Sequence, residues 1–397
     1  VFAASASVHG QCGYEATIIE PPSAPFGSLI LGRAINEAGH ACGHFSLGLS
    51  GLQDAFIWTG GESVIPLGPA DGIVESNAAD LANGGGVDGA DLVVGSYNLD
   101  KGMLRAFVHD GSQFITLDPL PGGDWSFGEG INEGQMIVGD SHNLTMQTRD
   151  AVFWQDGKPT AIEGLQGPIR EATDINEAGQ ITGWMIHPVT GIGFLWDEGV
   201  ATILGPVPNG QSSSPQAIND NGEIVGHGRI PCDCSPHAFA RQAFLWSKGQ
   251  WTMLGTLPGL SESVAYDVNN SSQVVGYGWN FGSSATAFLW ENGVMHDLND
   301  LVALPDGLEL DVARSINDAG QILADACCVG SSAAIVLLTP KRPPLADLND
   351  DCIVSVIDLS ILLAQWGQSG GGADLNLDGN IGPFDLAILL AQWTQSK

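Results

Sequence analysis

Residues 172–196, ATDINEAGQITGWMIHPVTGIGFLW, decide how the chain is read. A short strand leads into a tight turn at Asn176-Glu177-Ala178-Gly179. A second strand follows, then a loop, then a third strand ending Phe194-Leu195-Trp196. Asn and Gly suit such a turn because they tolerate the backbone conformations that a short reversal demands. The same pattern returns along the chain, and a repeat changes the meaning of every element within it.

Outward from this copy, the turn appears as AINEAGH at 34–40, as a degraded DLANGGG at 80–86, and as GINEGQ at 130–135. It continues as AINDNGE at 217–223, DVNNSSQ at 267–273 and SINDAGQ at 315–321. The repeated asparagine therefore falls at 36, 83, 132, 176, 219, 269 and 317. Each turn precedes an apolar or alternating strand such as Met136-Ile137-Val138-Gly139. Beyond it lies a third strand such as AFIW at 55–58 or AFLW at 243–246, then a Gly turn and a fourth strand ending near Leu254-Gly255.

Four short strands per period of roughly 47 residues, seven times over, predict an all-β seven-bladed β-propeller across residues 1–339. One four-stranded sheet cannot bury both faces, whereas blades packed face to face in a closed ring can, leaving only short edges. The seventh copy ends after its third strand, Ala334–Leu338, and one unassigned strand, Tyr14–Ile19, precedes the first copy. This N-terminal strand is expected to complete the last blade. Cys12 flanks it and Cys42 lies in blade one, so a Cys12–Cys42 bridge is expected across the closure.

Antiparallel order places the short, uniform turns on one face and the long, irregular loops on the other. Variable loops on a rigid scaffold are where binding usually resides, which makes Trp125, Trp184, His187, Arg229 and Trp279 the candidate ligand face. The repeated asparagines read as turn residues rather than a ring of ligands, and the Trp after Phe-Leu reads as packing between blades. Glu171 and Glu262 are acids of the kind a glycosidase opposes, but such pairs arise by chance among 45 acidic residues. No nucleophile elbow, zinc-protease helix motif or phosphate loop is present. The sequence gives no positive sign of an enzyme, and no catalytic residue is assigned.

The INxxGxIVG and AFLW elements resemble bacterial HAF-type repeats over residues 14–339. The literal triplet His237-Ala238-Phe239 occurs once. That resemblance implies an extracellular propeller-like domain and brings no settled activity.

Composition narrows the partners. The 397 residues are 44% apolar, with 54 glycines, and 13 basic residues face 45 acidic ones for a formal charge of −32. A polyphosphate would be repelled, which argues against nucleic acid. No apolar run approaches the ~20 residues of a membrane span. Ala4-Ser5-Ala6 has the small-residue pattern of a signal-peptide tail, in keeping with a secreted or cell-surface protein. The seven cysteines favour structural disulfides over a zinc site, since neither Cys232-Asp233-Cys234 nor Cys327-Cys328 has the usual ligand spacing.

After a Pro-rich linker at 340–346 the pattern changes. Asp347, Asn349, Asp351, Ile353 and Asp358 occupy positions 1, 3, 5, 7 and 12 of one loop. Asp374, Asn376, Asp378, Asn380 and Asp385 do so in a second loop 27 residues later. Side-chain oxygens at 1, 3, 5 and 12 with a backbone carbonyl at 7 suit a hard cation, so two Ca2+ ions are expected. Each loop runs into a near-identical helix, LSILLAQW at 359–366 and LAILLAQW at 386–393. Residues 347–397 resemble a type I dockerin, a paired EF-hand-like module. Cys352 stands where the first loop needs a sharp-turn glycine, and Gly382 offers no side chain at position 9 of the second. The resemblance implies docking through Val356, Ile357, Pro383 and Phe384 onto a cohesin-like domain or another copy of this chain.

The expected function is a secreted, non-catalytic binding or scaffold protein, with an extracellular glycan as one ligand for the propeller. The alternatives are a polysaccharide hydrolase carried on an extracellular complex and a self-assembling structural subunit.

Overall fold

Seven four-stranded sheets account for the repeat. The computed structural model describes residues 13–20, 29–46, 52–61, 63–68, 73–99, 102–187, 189–232, 239–305, 307–328, 331–341, 344–349 and 352–393. Blades one to six run Leu29–Pro66, Ile73–Leu117, Trp125–Ala161, Arg170–Gly205, Ser214–Gly255 and Glu262–Asp297, each with its strands in chain order. Blade seven takes three strands from Leu308–Pro340 and its fourth from Tyr14–Ile19, as expected from the truncated last copy. Contacts divide the chain into one unit of residues 16–338 and another of 1–15 with 339–397.

One glycine position shows why the repeat is written as it is. The first strand of blade four bulges between Ala172 and Asp174, which brings the Glu171 carbonyl against Gly183 of the second strand. A Cβ on Gly183 would lie 2.0 Å from that oxygen and 2.8 Å from the Phe194 ring. A Cβ on Gly43, Gly95, Gly139, Gly226 or Gly276 would lie 2.0–2.1 Å from the equivalent carbonyl of its own blade. The bulge needs the glycine, and the glycine lets the next strand's phenylalanine press in. Phe56, Phe107, Phe194, Phe244 and Phe288 are fully buried. Phe194 packs with Val138 and Ala151 of blade three, and Phe288 with Val225 and Ala243 of blade five. Trp58, Trp154 and Trp246 are buried as well, as the packing role predicts.

Polar side chains then latch blade to blade. Ser126, Ser213 and Ser263, all buried, accept the N–H of Ala106, Gly193 and Ala243 on the preceding blade and donate to its last strand. Asp80, Asp174 and Asp267, at the bulges of blades two, four and six, accept the N–H of Ile131, Ile218 and Ile316 on the following blade. The repeated asparagines form a third set. Asn132, Asn176, Asn219, Asn269 and Asn317 each donate Nδ2 to the backbone oxygen of the next blade's asparagine, at 2.9–3.1 Å. The last of these bonds reaches Asn36 and closes the ring. Each Oδ1 also accepts the N–H four residues on. They are turn residues, as read from sequence, and also a belt.

Blade two corrects the motif. Leu81 pairs Val93 as Ile175 pairs Ile181, so Ala82, not Asn83, occupies the belt position. Asn36 Nδ2 has no hydrogen-bond partner, and Asn83 bonds Glu133. The Cys12–Cys42 bridge is also overturned: Cys42 is a buried free thiol. Its burial, with Asp80 nearby, disfavours the thiolate. Cys12, Cys234, His237 and Ala238 lie outside the described residues.

In the other unit, α1 (Val356–Ala364) and α2 (Pro383–Ala391) pack around Val354, Leu362, Ala373, Ile381 and Leu389. Two nine-residue helices do not by themselves make an EF-hand pair. Among the described residues no helix is long and apolar enough to cross a membrane.

Candidate functional site

Each acidic loop is closed by its own carboxylates. In the first, Asp347 accepts the Cys352 N–H at 2.6 Å, and Asp358 accepts those of Leu348 and Ser355 at 2.8 and 2.7 Å. In the second, Asp374 accepts the Gly379 N–H at 2.9 Å, and Asp385 accepts those of Leu375 and Gly382 at 2.7 and 2.8 Å. These three bonds have the same positions in both loops. Position 6 is left-handed in both, at φ +65° for Cys352 and +89° for Gly379, so the cysteine adopts the conformation that glycine takes freely. Such a conformation costs an L-residue roughly 1–2 kcal/mol. Ser355 caps α1 through its hydroxyl, which Gly382 cannot do for α2.

The four terminal carboxylates are buried, while Asn349, Asn376, Asp378 and Asn380 are exposed. Asp351 lies outside the described residues. Among the described residues, no three His, Cys, Asp or Glu side chains gather as they would around a metal ion. Val356, Ile357 and Phe384 are 69%, 49% and 71% exposed on the first helical turns, beside exposed Pro383. Apolar side chains this open are not holding the unit together.

The five candidates on the variable face do not form one site. Trp125 meets the ring of His142, whose Nε2 lies 2.5 Å from Asp140. Arg149 joins Asp140 to Glu171, and Trp184 is the cross-strand partner of Glu171. Trp279 belongs to a separate stack on blades five to seven. Arg241 lies over Trp279, Trp279 stacks on Tyr277, Tyr277 stacks on Tyr266, and Arg314 covers Tyr266 while pairing with Asp325 at 2.7 Å. Burial, with Tyr266 beside it, pushes the Tyr277 hydroxyl up to about 12. Arg229 lies over Phe239, and His187 is an exposed loop residue. Glu171 is ion-paired and Glu262 accepts the Arg241 N–H, so neither acid is free to oppose the other. Sequence reading missed Asp140, His142, Arg149, Tyr266 and Tyr277. Their signal was the i, i+2 spacing of Asp140 with His142 and of Tyr277 with Trp279, which sets side chains on one face of a strand.

At the opposite mouth, Glu37, Glu133, Glu177, Asp220 and Asp318 ring a cavity of about 330 Å³. Every one of them accepts a hydrogen bond from a neighbouring blade. This ring disfavours anions and staples the turns together.

The described propeller is shared with proteins of very different sequence. The β-propeller domain of the Trilobed protease from Pyrococcus furiosus aligns at a TM-score of 0.53 with 8% identity, over 81% of this chain and 96% of that one. The Pyrococcus horikoshii acylaminoacyl peptidase aligns at 0.51 with 12% identity, over 79% of this chain and 52% of that one. At such identities the likeness shows the fold alone. No curated protein matches the chain in sequence. A family model described as "protein of unknown function (DUF3466)" matches residues 126–336, from the buried serine of blade three to the penultimate strand of the ring. That is more than half of the chain, and the protein belongs to the DUF3466 family.

Proposed function

We propose that the protein is a secreted, non-catalytic binding or scaffold protein whose propeller is presented by a calcium-dependent, dockerin-like module. The observation that carries this reading is the matching closure of the two acidic loops by their first and last carboxylates, each loop leading into a helix with an exposed apolar first turn. The donor set fits calcium. Asp347, Asn349, Asp351, the Ile353 carbonyl and Asp358 would hold one ion; Asp374, Asn376, Asp378, the Asn380 carbonyl and Asp385 would hold the other. When bound, the ion neutralises clustered carboxylates and stiffens the loops.

Val356, Ile357, Pro383 and Phe384 form the docking residues of this reading, toward a cohesin-like domain or another copy. The HAF-like repeat supports an extracellular setting, with the irregular propeller face turned to a glycan or protein. Calorimetric titration of the full chain should find about two Ca2+ sites, with Asp374→Ala removing one. Sedimentation with and without calcium should then show whether the partner is a second copy. An absence of calcium binding at millimolar concentration would overturn the reading.

A further inference from the structure

The repeat serves as an internal control for the one junction where it is broken several times. In blades four to seven, the residue four positions after the belt asparagine is Gln180, Glu223, Gln273 or Gln321. Its side chain accepts a bond from that asparagine's Nδ2 at 2.7–2.9 Å. Blade one has His40 there, and its Nδ1 instead meets Asp91 Oδ2 of blade two at 2.6 Å. Asp91 follows the 3-10 turn Val87–Gly89, an irregular replacement for the usual tight turn. Its carboxylate is held from behind by the Gly84 N–H at 3.2 Å, and its side chain is 8% exposed. Blade two departs again at the end of its third strand, where His109 replaces the Trp of the neighbouring copies. His109 is buried, its Nδ1 accepts the Gly111 N–H at 3.2 Å, and burial keeps its ring neutral.

These departures share one cleft. His40, Asp91 and His109 line a cavity of about 370 Å³ between blades one and two, walled by Ile57, Leu67 and Val93. That volume falls in the ~300–1,000 Å³ range of small-molecule pockets. In the neutral tautomer that donates Nδ1 to Asp91, His40 Nε2 is an acceptor, and His40 lines the cleft. No Lys or Arg is among the described lining residues. Asp110 is bonded to Ser112 of the lining, whose bonds pull its carboxyl down to about 2, so it stays charged. Within a chain of formal charge −32, an anion is disfavoured here and a cation is drawn in.

We propose that this cleft binds a small amine with an apolar body. The ammonium donates to His40 Nε2 with the Asp91 charge behind it, and the apolar part enters the space left where neighbouring blades carry an indole. The site is independent of the calcium module and of any docking.

The full chain, labelled at its histidines, tests this with n-hexylammonium, n-hexanol and hexanoate as probes, read from the Cε1–H signals by NMR. Hexylammonium should shift the His40 and His109 signals saturably, hexanol should bind about fivefold more weakly or worse, and hexanoate should not bind. His40→Gln installs the residue that blades four, six and seven carry, and His109→Trp restores the indole. Both should keep the melting temperature and weaken hexylammonium at least tenfold, read by calorimetry. Absence of saturable shifts in the wild-type chain would overturn the proposal without reference to any variant. So would equal binding of the three probes, or unchanged hexylammonium affinity in both variants.

Discussion

Asn176→Ala tests the idea that the repeated asparagine is a belt and not merely a turn residue. The substitution removes the bond from Nδ2 to the Asn219 carbonyl at 3.0 Å, the bond to Gln180 Oε1 at 2.9 Å, and the acceptor for the Gln180 N–H at 2.9 Å. Asn219 is 6% exposed and Asn176 4%, so water cannot readily replace these partners. A buried polar group left unsatisfied costs about 1–3 kcal/mol, and two such groups with partial relaxation bring the total to about 3 kcal/mol. Unfolding entropy near 2.1 cal/mol/K per residue gives about 0.7 kcal/mol/K for a propeller of residues 16–338. The expected fall in melting temperature is therefore about 4 °C. Asn83→Ala alters the residue that looks equivalent in sequence but stands outside the belt with exposed partners; about 0.5 kcal/mol, or less than 1 °C, is expected. Differential scanning calorimetry of the two variants side by side is the assay. Equal shifts at both positions, or a fall below 1 °C at Asn176, would refute the reasoning.

Acidification should stabilise the propeller. Burial pushes Asp80 up to about 7 and raises Asp174 and Asp267. The folded state thus holds these protons more tightly than the unfolded chain. The Asp80 contribution is complete below the ordinary carboxylate range and is lost as pH rises through about 7, by up to about 1.4 kcal/mol per pH unit. Those of Asp174 and Asp267 are likewise lost as pH rises through their raised folded values. Melting temperatures should be higher at pH 5.5 than at pH 8, and a smaller difference in Asp80→Asn would assign part of it to that residue. A higher melting temperature at pH 8 would contradict this. Gly183→Ala should cost more than 3 kcal/mol because the carbonyl it meets at 2.0 Å belongs to the paired backbone; a soluble variant with unchanged calorimetry would remove the bulge argument. Removing calcium with a chelator should lower the far-ultraviolet helical signal of α1 and α2, and a spectrum indifferent to chelator would count against the calcium loops.

Much of the ring was legible because its information is local and repeated. Alternation, turn residues and the Phe-Leu-Trp strand are written within each copy, and the unpaired strand at Tyr14–Ile19 announced its own use. Blade two shows where reading the turn alone misleads. Asn83 matches the motif by eye, yet the pairing of Leu81 with Val93 gives the belt position to Ala82. Aligning Asp80-Leu81 with Asp174-Ile175 already puts Ala82 in the asparagine column, and the pairing confirms it.

The candidate sites divide in the same way. In the acidic loops every proposed ligand comes from one twelve-residue segment, so spacing alone proposes the site, and both folded loops are closed by their first and last carboxylates. On the variable face the five residues chosen for exposure and chemistry fall into separate clusters, because contact there depends on neighbouring blades. Trp279 is covered by Arg241, from another blade.

The amino-acid sequence by itself determined the number of blades, the strand that closes the ring and the two acidic loops, since each is encoded by local periodicity or fixed spacing. Only the tertiary structure decided what the repeated asparagines do. It also decided that His40, Asp91 and His109 line one cleft. Those are relations across blade junctions, such as His40 with Asp91, 51 positions apart, and Asn317 with Asn36, 281 positions apart, and no local pattern specifies which side chains a closed ring will bring together.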